Sequence, residues 1–121
     1  MRIIYIAGKY RGKCEWDVRM NIRSAEQAAV MVWQYGGVAI CPHKNTAGFG
    51  GVPGCDDNVW LQGDIEILLR CDAIWAIDGR KESSGARNEV NIARINSIPV
   101  LYSIQDVIDY LKRDNDPTRR P

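Results

Sequence analysis

Four short apolar runs, Ile3 to Ala7, Val38 to Cys41, Ala73 to Ile77 and Ile98 to Tyr102, are each separated from the next by a stretch with helical periodicity. The runs are hydrophobic at nearly every position, the mark of strands covered on both faces. Strands that alternate with helices need right-handed crossovers, so the sheet is parallel and carries helices on either side. The expected architecture is α/β: a small parallel-sheet, three-layer sandwich, flavodoxin-like or Rossmann-like, with four to five strands. Ligands of such sheets sit beyond the carboxyl ends of the strands. The loops after Ala7, Cys41, Ile77 and Tyr102 therefore frame any site.

Between the strands, a first helix is expected from Asp17, read as its N-cap, to Tyr35, with Val18, Ile22, Ala25, Ala29, Val32 and Trp33 on its apolar stripe. Gly36-Gly37 closes it. Pro42 to Gly54 reads as a long irregular loop, a lid or substrate-binding segment. Asp56 or Asp57 caps a second helix ending near Arg70. Ser84 or Gly85 opens a third that ends near Asn96, and Ile104 to Lys112 forms the last. The 121 residues fit one domain, residues 1–113, followed by a polar tail, 114–121.

Sixteen basic residues against 15 acidic ones give no bulk field for polymeric nucleic acid or a membrane surface. No apolar run approaches the ~20 residues of a membrane span, and the expected location is cytoplasmic. Cys14, Cys41, Cys55 and Cys71 contain no C-x-x-C pair and read as reduced thiols. Cys41 and His43 lack a second pair of metal ligands, so neither a metal nor a cofactor is expected.

Two carboxylates stand out. On a wheel of 100° per residue, Ile67, Trp60 and Cys71 lie within about 60° of Asp64 on one side, and Leu68 and Leu61 on the other. Glu89 is surrounded in the same way by Ile92, Ala93, Ala86 and Val90. Carboxylates that face a core are costly unless paired, hydrogen-bonded or protonated. Two of them, on helices that pass the ligand edge, suggest one shared pocket. A capping box would need Ser three residues before Glu89, and position 86 is alanine. Near a helix start the dipole favours an ionised Glu89, which can serve as a nucleophile. Free N–H groups around Ser83, Ser84 and Gly85 suit a phosphate or a hydroxyl. Lys9, Arg11 and Lys13, in the loop from Gly8 to Lys13, and Arg87 are the cations nearest that edge.

Tyr5-Ile6-Ala7-Gly8 with Arg11-Gly12, Cys41-Pro42-His43, Gly63-Asp64 with Cys71-Asp72, and Ser83-Ser84-Gly85-Ala86-Arg87-Asn88-Glu89 resemble the nucleoside 2-deoxyribosyltransferase superfamily. The resemblance runs from Met1 to about Tyr102 and is closest to small members of the superfamily. It implies cleavage of the N-glycosidic bond of a nucleoside or nucleoside 5'-monophosphate, by hydrolysis or base exchange. It further implies that Glu89 is the nucleophile that carries a glycosyl intermediate, that Asp64 assists at the departing base and that Tyr5 contacts Glu89. Ser83 and Arg11 match positions that favour a phosphorylated substrate. With the flanking loops, the expected substrate contacts are Gly8, Lys9, Arg11, Gly12, His43, Ser83, Ser84 and Gly85. The partners expected are a small nucleotide or nucleoside and further copies of the chain, in a homodimer or higher homo-oligomer.

The chain departs from the superfamily in having Arg87 and the run Asn88-Glu89-Val90-Asn91. An arginine paired with Glu89 would quench the nucleophile, which motivates a second reading, a nucleotide-binding module. In a third, Trp16, Trp33, Trp60 and Trp75 simply fill cores and interfaces.

Overall fold

The computed structural model describes residues 1–80 and 84–114. In chain order these form β1 (Ile3–Ala7), α1 (Glu15–Gln34), β2 (Val38–Ile40), α2 (Pro42–Asn45), α3 (Asp57–Leu68), β3 (Ala73–Ala76), α4 (Ser84–Ile95), β4 (Val100–Leu101) and α5 (Ile104–Asp114). The strands pair in the order β2-β1-β3-β4, all parallel. Tyr5 stands level with Ile40 on one side and Ile74 on the other. The α/β sandwich expected from the apolar runs is the fold observed, with four strands among the described residues.

Alternation along the central strands sorts the core into two layers. Ile4 and Ile6 of β1 and Trp75 of β3 face α1 and α5, where they meet Ala25, Ala28, Val32, Val107 and Leu111. Tyr5 and Ala7, with Ile74 and Ala76, face α3 and α4, where Leu68, Ala86, Val90 and Ala93 cover them. The second layer holds both carboxylates singled out above.

Several details differ from the sequence reading. The first helix starts two residues before Asp17, with Cys14 at its cap position. Asp17 instead accepts the Lys13 N–H at 3.1 Å, stabilising the loop before the helix rather than its first turn. Trp33 is 56% exposed; the buried stripe runs through Ala25, Ala28 and Val32, and Trp33 lies about 80° past its edge. Trp16 is also exposed, so two of the four tryptophans do not fill this chain's core. The segment 42–54 is not wholly irregular, because Pro42 at a helix start, where its missing N–H costs nothing, opens the one-turn α2. Asp114, assigned above to the tail, ends α5 and accepts the Arg2 Nε–H at 2.9 Å. Asp56 caps the second helix as expected, accepting from the Asn58 N–H at 3.0 Å.

α1 and α4 end on the same device. Gly36, at φ 91°, lets the Gly37 N–H reach the Val32 carbonyl at 3.0 Å and the Gly36 N–H reach that of Trp33. After α4, the Ile98 N–H bonds the Ala93 carbonyl at 2.8 Å and the Ser97 N–H that of Arg94. Here the left-handed residue is Ser97, at φ 59°, where a Cβ is costly. Ser97→Gly is expected to stabilise the fold by about 0.5–1 kcal/mol, the relief exceeding the added freedom of the unfolded chain. A melting temperature raised by a few degrees is the measurement; a lowered one would refute it.

Candidate active site

The connection from β1 leads to one side, to β2, whereas its other neighbour, β3, leads on to β4 on the opposite side. The crevice opened by this divergence, beyond the carboxyl ends of β1 and β3, is where doubly wound sheets bind ligands. The loop of residues 8–13 enters it. Both backbone groups of Lys9 are held by side chains from other segments. Its N–H donates to Asp78 Oδ2 at 3.0 Å, and its carbonyl lies 3.0 Å from His43 Nε2. Burial keeps the His43 imidazole below its usual pKa, so the ring is neutral and carries its proton on Nε2 to donate to Lys9. Tyr10 packs edge-on against the same ring, with centroids 5.4 Å apart. Asn21 of α1 donates to the Tyr10 and Arg11 carbonyls.

This clamping accounts for the two glycines. A Cβ on Gly8 would come within 2.7 Å of Ile77 Cγ1, and one on Gly12 within 2.3 Å of Asp17 Cβ. Asp78→Ala is expected to speed hydrogen exchange at the Lys9 amide about tenfold, the loss of one charge-assisted bond of ~1.4 kcal/mol. Exchange that remains as slow as in the wild type would show that the loop is held by other contacts.

Below the loop, Tyr5 is fully buried and its hydroxyl donates to Glu89 Oε2. Burial pushes the Glu89 carboxyl up to about 7; the Tyr5 hydrogen bond pulls it down and the charge on Asp64 pushes it up again. Asp64, half-buried on α3, is pushed up to about 6 by burial. The asymmetry is physical. Asp64 ionises first and meets a neutral Glu89, and Glu89 then ionises against a charged Asp64. Burial, then Glu89, holds the Tyr5 phenol far above its ordinary range, so it remains a donor. The result is a coupled pair of carboxyl groups titrating near neutrality, with one oxygen fixed by a buried phenol. Such a set can exchange a proton and offer an oxygen nucleophile. One turn before Asp64 on the same face of α3 stands Trp60, with Phe49 edge-on at 5.8 Å. These two, with Gly48, Gly50, Gly51 and Val52, line an open apolar hollow.

Comparison with known proteins follows the same outline. Residues 2–103 match the model of a family described as a domain of unknown function, DUF7768. The chain belongs to the DUF7768 family. No curated protein matches its sequence. Among solved structures it is similar to a 2-deoxyribosyltransferase from the psychrotolerant bacterium Bacillus psychrosaccharolyticus, with a TM-score of 0.60 and 20% identity over 81% of this chain and 69% of that one. It is similar also to a conserved protein from Enterococcus faecalis V583, with a TM-score of 0.61 and 27% identity over 83% of this chain and 61% of that one. The likeness to the transferase shows that the DUF7768 chain has its fold.

Within that fold, the DUF7768 chain brings some of the singled-out residues together and separates others. Tyr5 and Glu89 touch, and Asp64 acts electrostatically on both. Gly8, Lys9, Gly12 and His43 lie in or against the clamped loop, where the His43 Nε2 is engaged by the chain itself. Arg11 pairs with Asp57 at 2.7 Å in solvent. Ser84 begins α4 and Gly85 is exposed beside it; Ser83 lies outside the described residues. Asp72, quoted with Cys71 above, sits at the opposite, amino-terminal edge of the sheet, where it accepts the Ile3 N–H at 2.8 Å. Burial pushes the Cys71 thiol up to about 11, which makes it inert near neutral pH. Arg87 does not pair with Glu89. It is exposed, 200° round the helix, and has no part in the Glu89 shift.

Two residues of the site escaped the sequence reading. Asp78 carries no motif, and its signal is only its place directly after the third strand. Phe49 lay in what reads as loop, and its pairing with Trp60 is a tertiary contact. Among the described residues no group of three His, Cys, Asp or Glu side chains could hold a metal, and no helix is long and apolar enough to cross a membrane.

Proposed function

We propose that this protein cleaves the N-glycosidic bond of a nucleoside or nucleoside 5'-monophosphate, passing the sugar through Glu89 to water or to a second base. The observation that carries the proposal is the buried Tyr5–Glu89 hydrogen bond beside Asp64, at the switch-point crevice. In the ionised form, Glu89 attacks C1' of the sugar. The C1'–N bond breaks as the C1'–O bond to Glu89 forms, and the electron pair of the broken bond leaves with the base. A protonated Asp64 supplies the proton that neutralises this base. Water or an incoming base then displaces Glu89 from C1', giving up a proton to the Asp64 carboxylate, so that Glu89 leaves as carboxylate and Asp64 is protonated again. Tyr5 fixes the attacking oxygen throughout.

Other parts of the crevice fit this substrate class. The Trp60–Phe49 hollow on the Asp64 side offers an apolar surface to a nucleobase. Lys9, exposed on a loop held rigid by His43 and Asp78, and the first turn of α4 at Ser84 and Gly85 offer positive potential to a 5'-phosphate. We include in the proposal a homo-oligomer, which would close a crevice that is open on this chain alone. The deciding experiment is incubation with 2'-deoxynucleoside 5'-monophosphates, ribonucleotides and nucleosides, with chromatography for free base. Wild type should release base from at least one of them, and Glu89→Ala from none. Equal release by both proteins would end the assignment.

A further inference from the structure

The arginines among the described residues fall into two groups. Arg2, Arg11, Arg19, Arg23 and Arg70 each meet a carboxylate. Arg80, Arg87, Arg94 and Arg113 form no ion pair among the described residues. Two of the latter converge on one side chain. The Arg80 guanidinium lies 4.4 Å from the centre of the Tyr102 ring, and Arg94 Nη2 donates to the Tyr102 hydroxyl. Among the described residues, Asp78 and Asp106, the carboxylates nearest in sequence to Arg80 and Tyr102, each accept a backbone N–H. Asp106 accepts that of Tyr102 at 3.0 Å, and Asp78 that of Lys9.

Two guanidinium groups held over the ring and at the hydroxyl of one side chain repel each other, and Tyr102 sets no carboxylate between them. A cation–π contact and one hydroxyl acceptor orient them without balancing their charge. The ring also restricts both side chains, so their forks are arranged before any ligand arrives. The cluster stands apart from the Glu89 centre. Glu89 reaches Tyr5 on β1, whereas Arg94 reaches Tyr102 just beyond β4, and β3 lies between those strands. α4 separates the two, with residues 89 and 94 about 140° apart around it.

We propose that Arg80 and Arg94, arranged on Tyr102, form a second site that binds a phosphate-type dianion on the flank of α4 away from Glu89. The ligand is a phosphate carried by a small molecule or free in solution, taken between two forks that each offer parallel N–H donors. It needs no other residue of the crevice. Arg87 lies on the same exposed stripe as Arg94, two turns and about 10.5 Å away, but makes no contact with Tyr102, so it serves as a control for general surface charge.

The test is titration calorimetry of the full chain with inorganic phosphate and, separately, with a nucleoside monophosphate, at low salt. Both are repeated in the Glu89→Gln variant, which keeps this site independent of any turnover. Saturable binding is expected, weakening at least tenfold in Arg80→Gln/Arg94→Gln and a few-fold in Tyr102→Phe, which keeps the ring but removes the acceptor for Arg94. Arg87→Gln should change it less than twofold. Equal losses in Arg87→Gln and in the double variant would overturn the site in favour of diffuse charge. Unchanged binding in the double variant, or none in wild type, would also overturn it. A single-stranded oligonucleotide that binds far more tightly than inorganic phosphate, and depends on Arg87, would replace the small dianion with a polyanion. Binding that follows the expected pattern while no base is released from any nucleotide would refute the proposed reaction and leave this site standing.

Discussion

Glu89→Gln is expected to abolish base release, by about 10³-fold or more, and at the same time to make the protein more stable at pH 8. The first effect follows from removing the carboxylate that attacks C1' in the first step; loss of a nucleophile costs factors of this order. The second follows from the titration. The folded protein holds the Glu89 pKa at about 7, against an ordinary value of 4.5. A carboxyl group raised on folding contributes stability that is fully present below the unfolded value. That contribution is lost as the pH rises through the folded value. At pH 8 wild type therefore carries a partly buried charge facing Asp64, whereas glutamine carries none and still accepts the Tyr5 hydrogen bond. The gain expected is about 1–3 kcal/mol at pH 8, vanishing near pH 4. For a chain of this size that is a melting temperature several degrees higher. Denaturation curves at pH 4, 6 and 8 measure it. Glutamine that is less stable than glutamate at pH 8 would mean that a cation or a bound water compensates Glu89, and the site would have to be redrawn. A group that weakens the fold and is kept for chemistry is the pattern expected of a functional site.

How much of this was legible before the structure depends on the kind of interaction concerned. β1 and β3 are buried on both faces, so Ile3 to Ala7 and Ala73 to Ile77 show their character in every residue. The inward orientation of Glu89 was legible for a similar reason, because its neighbours at three and four residues are apolar and helical geometry leaves them one side to share. Interactions between distant segments left no local trace. Asp17 looks like a helix cap from its neighbours, but its carboxylate serves the Lys13 N–H. His43 looks like half of a metal pair with Cys41, but its ring supports Lys9 from 34 residues away. Arg87 looks like a quencher of Glu89 because they are two residues apart, although 200° of helix separates them. In each case the sequence shows which groups are available and the fold decides which of them meet.

The pH dependence of the reaction is the second large effect expected, and it comes from the order of the two titrations. The mechanism needs Glu89 ionised and Asp64 protonated. In the free protein the order is the reverse, with Glu89 at about 7 and Asp64 at about 6. Treated as independent sites, the two groups hold the productive arrangement in at most roughly one molecule in twenty, at a pH between the two values. The profile of kcat/KM should therefore be a narrow bell with its maximum between pH 6 and 7, rising as Glu89 ionises and falling as Asp64 does. Asp64→Asn removes the proton donor, so the rate at the optimum should fall by about 10²–10³-fold. It also removes the charge that, after burial, raises Glu89. The alkaline limb should disappear and the acid limb should move to lower pH, a change that a merely structural role for Asp64 would not produce. Substrates whose base leaves readily without protonation should lose least. An alkaline limb that survives in Asp64→Asn would assign the proton to another group. Tyr5 would be the first to examine, since its hydroxyl already holds a proton against Glu89.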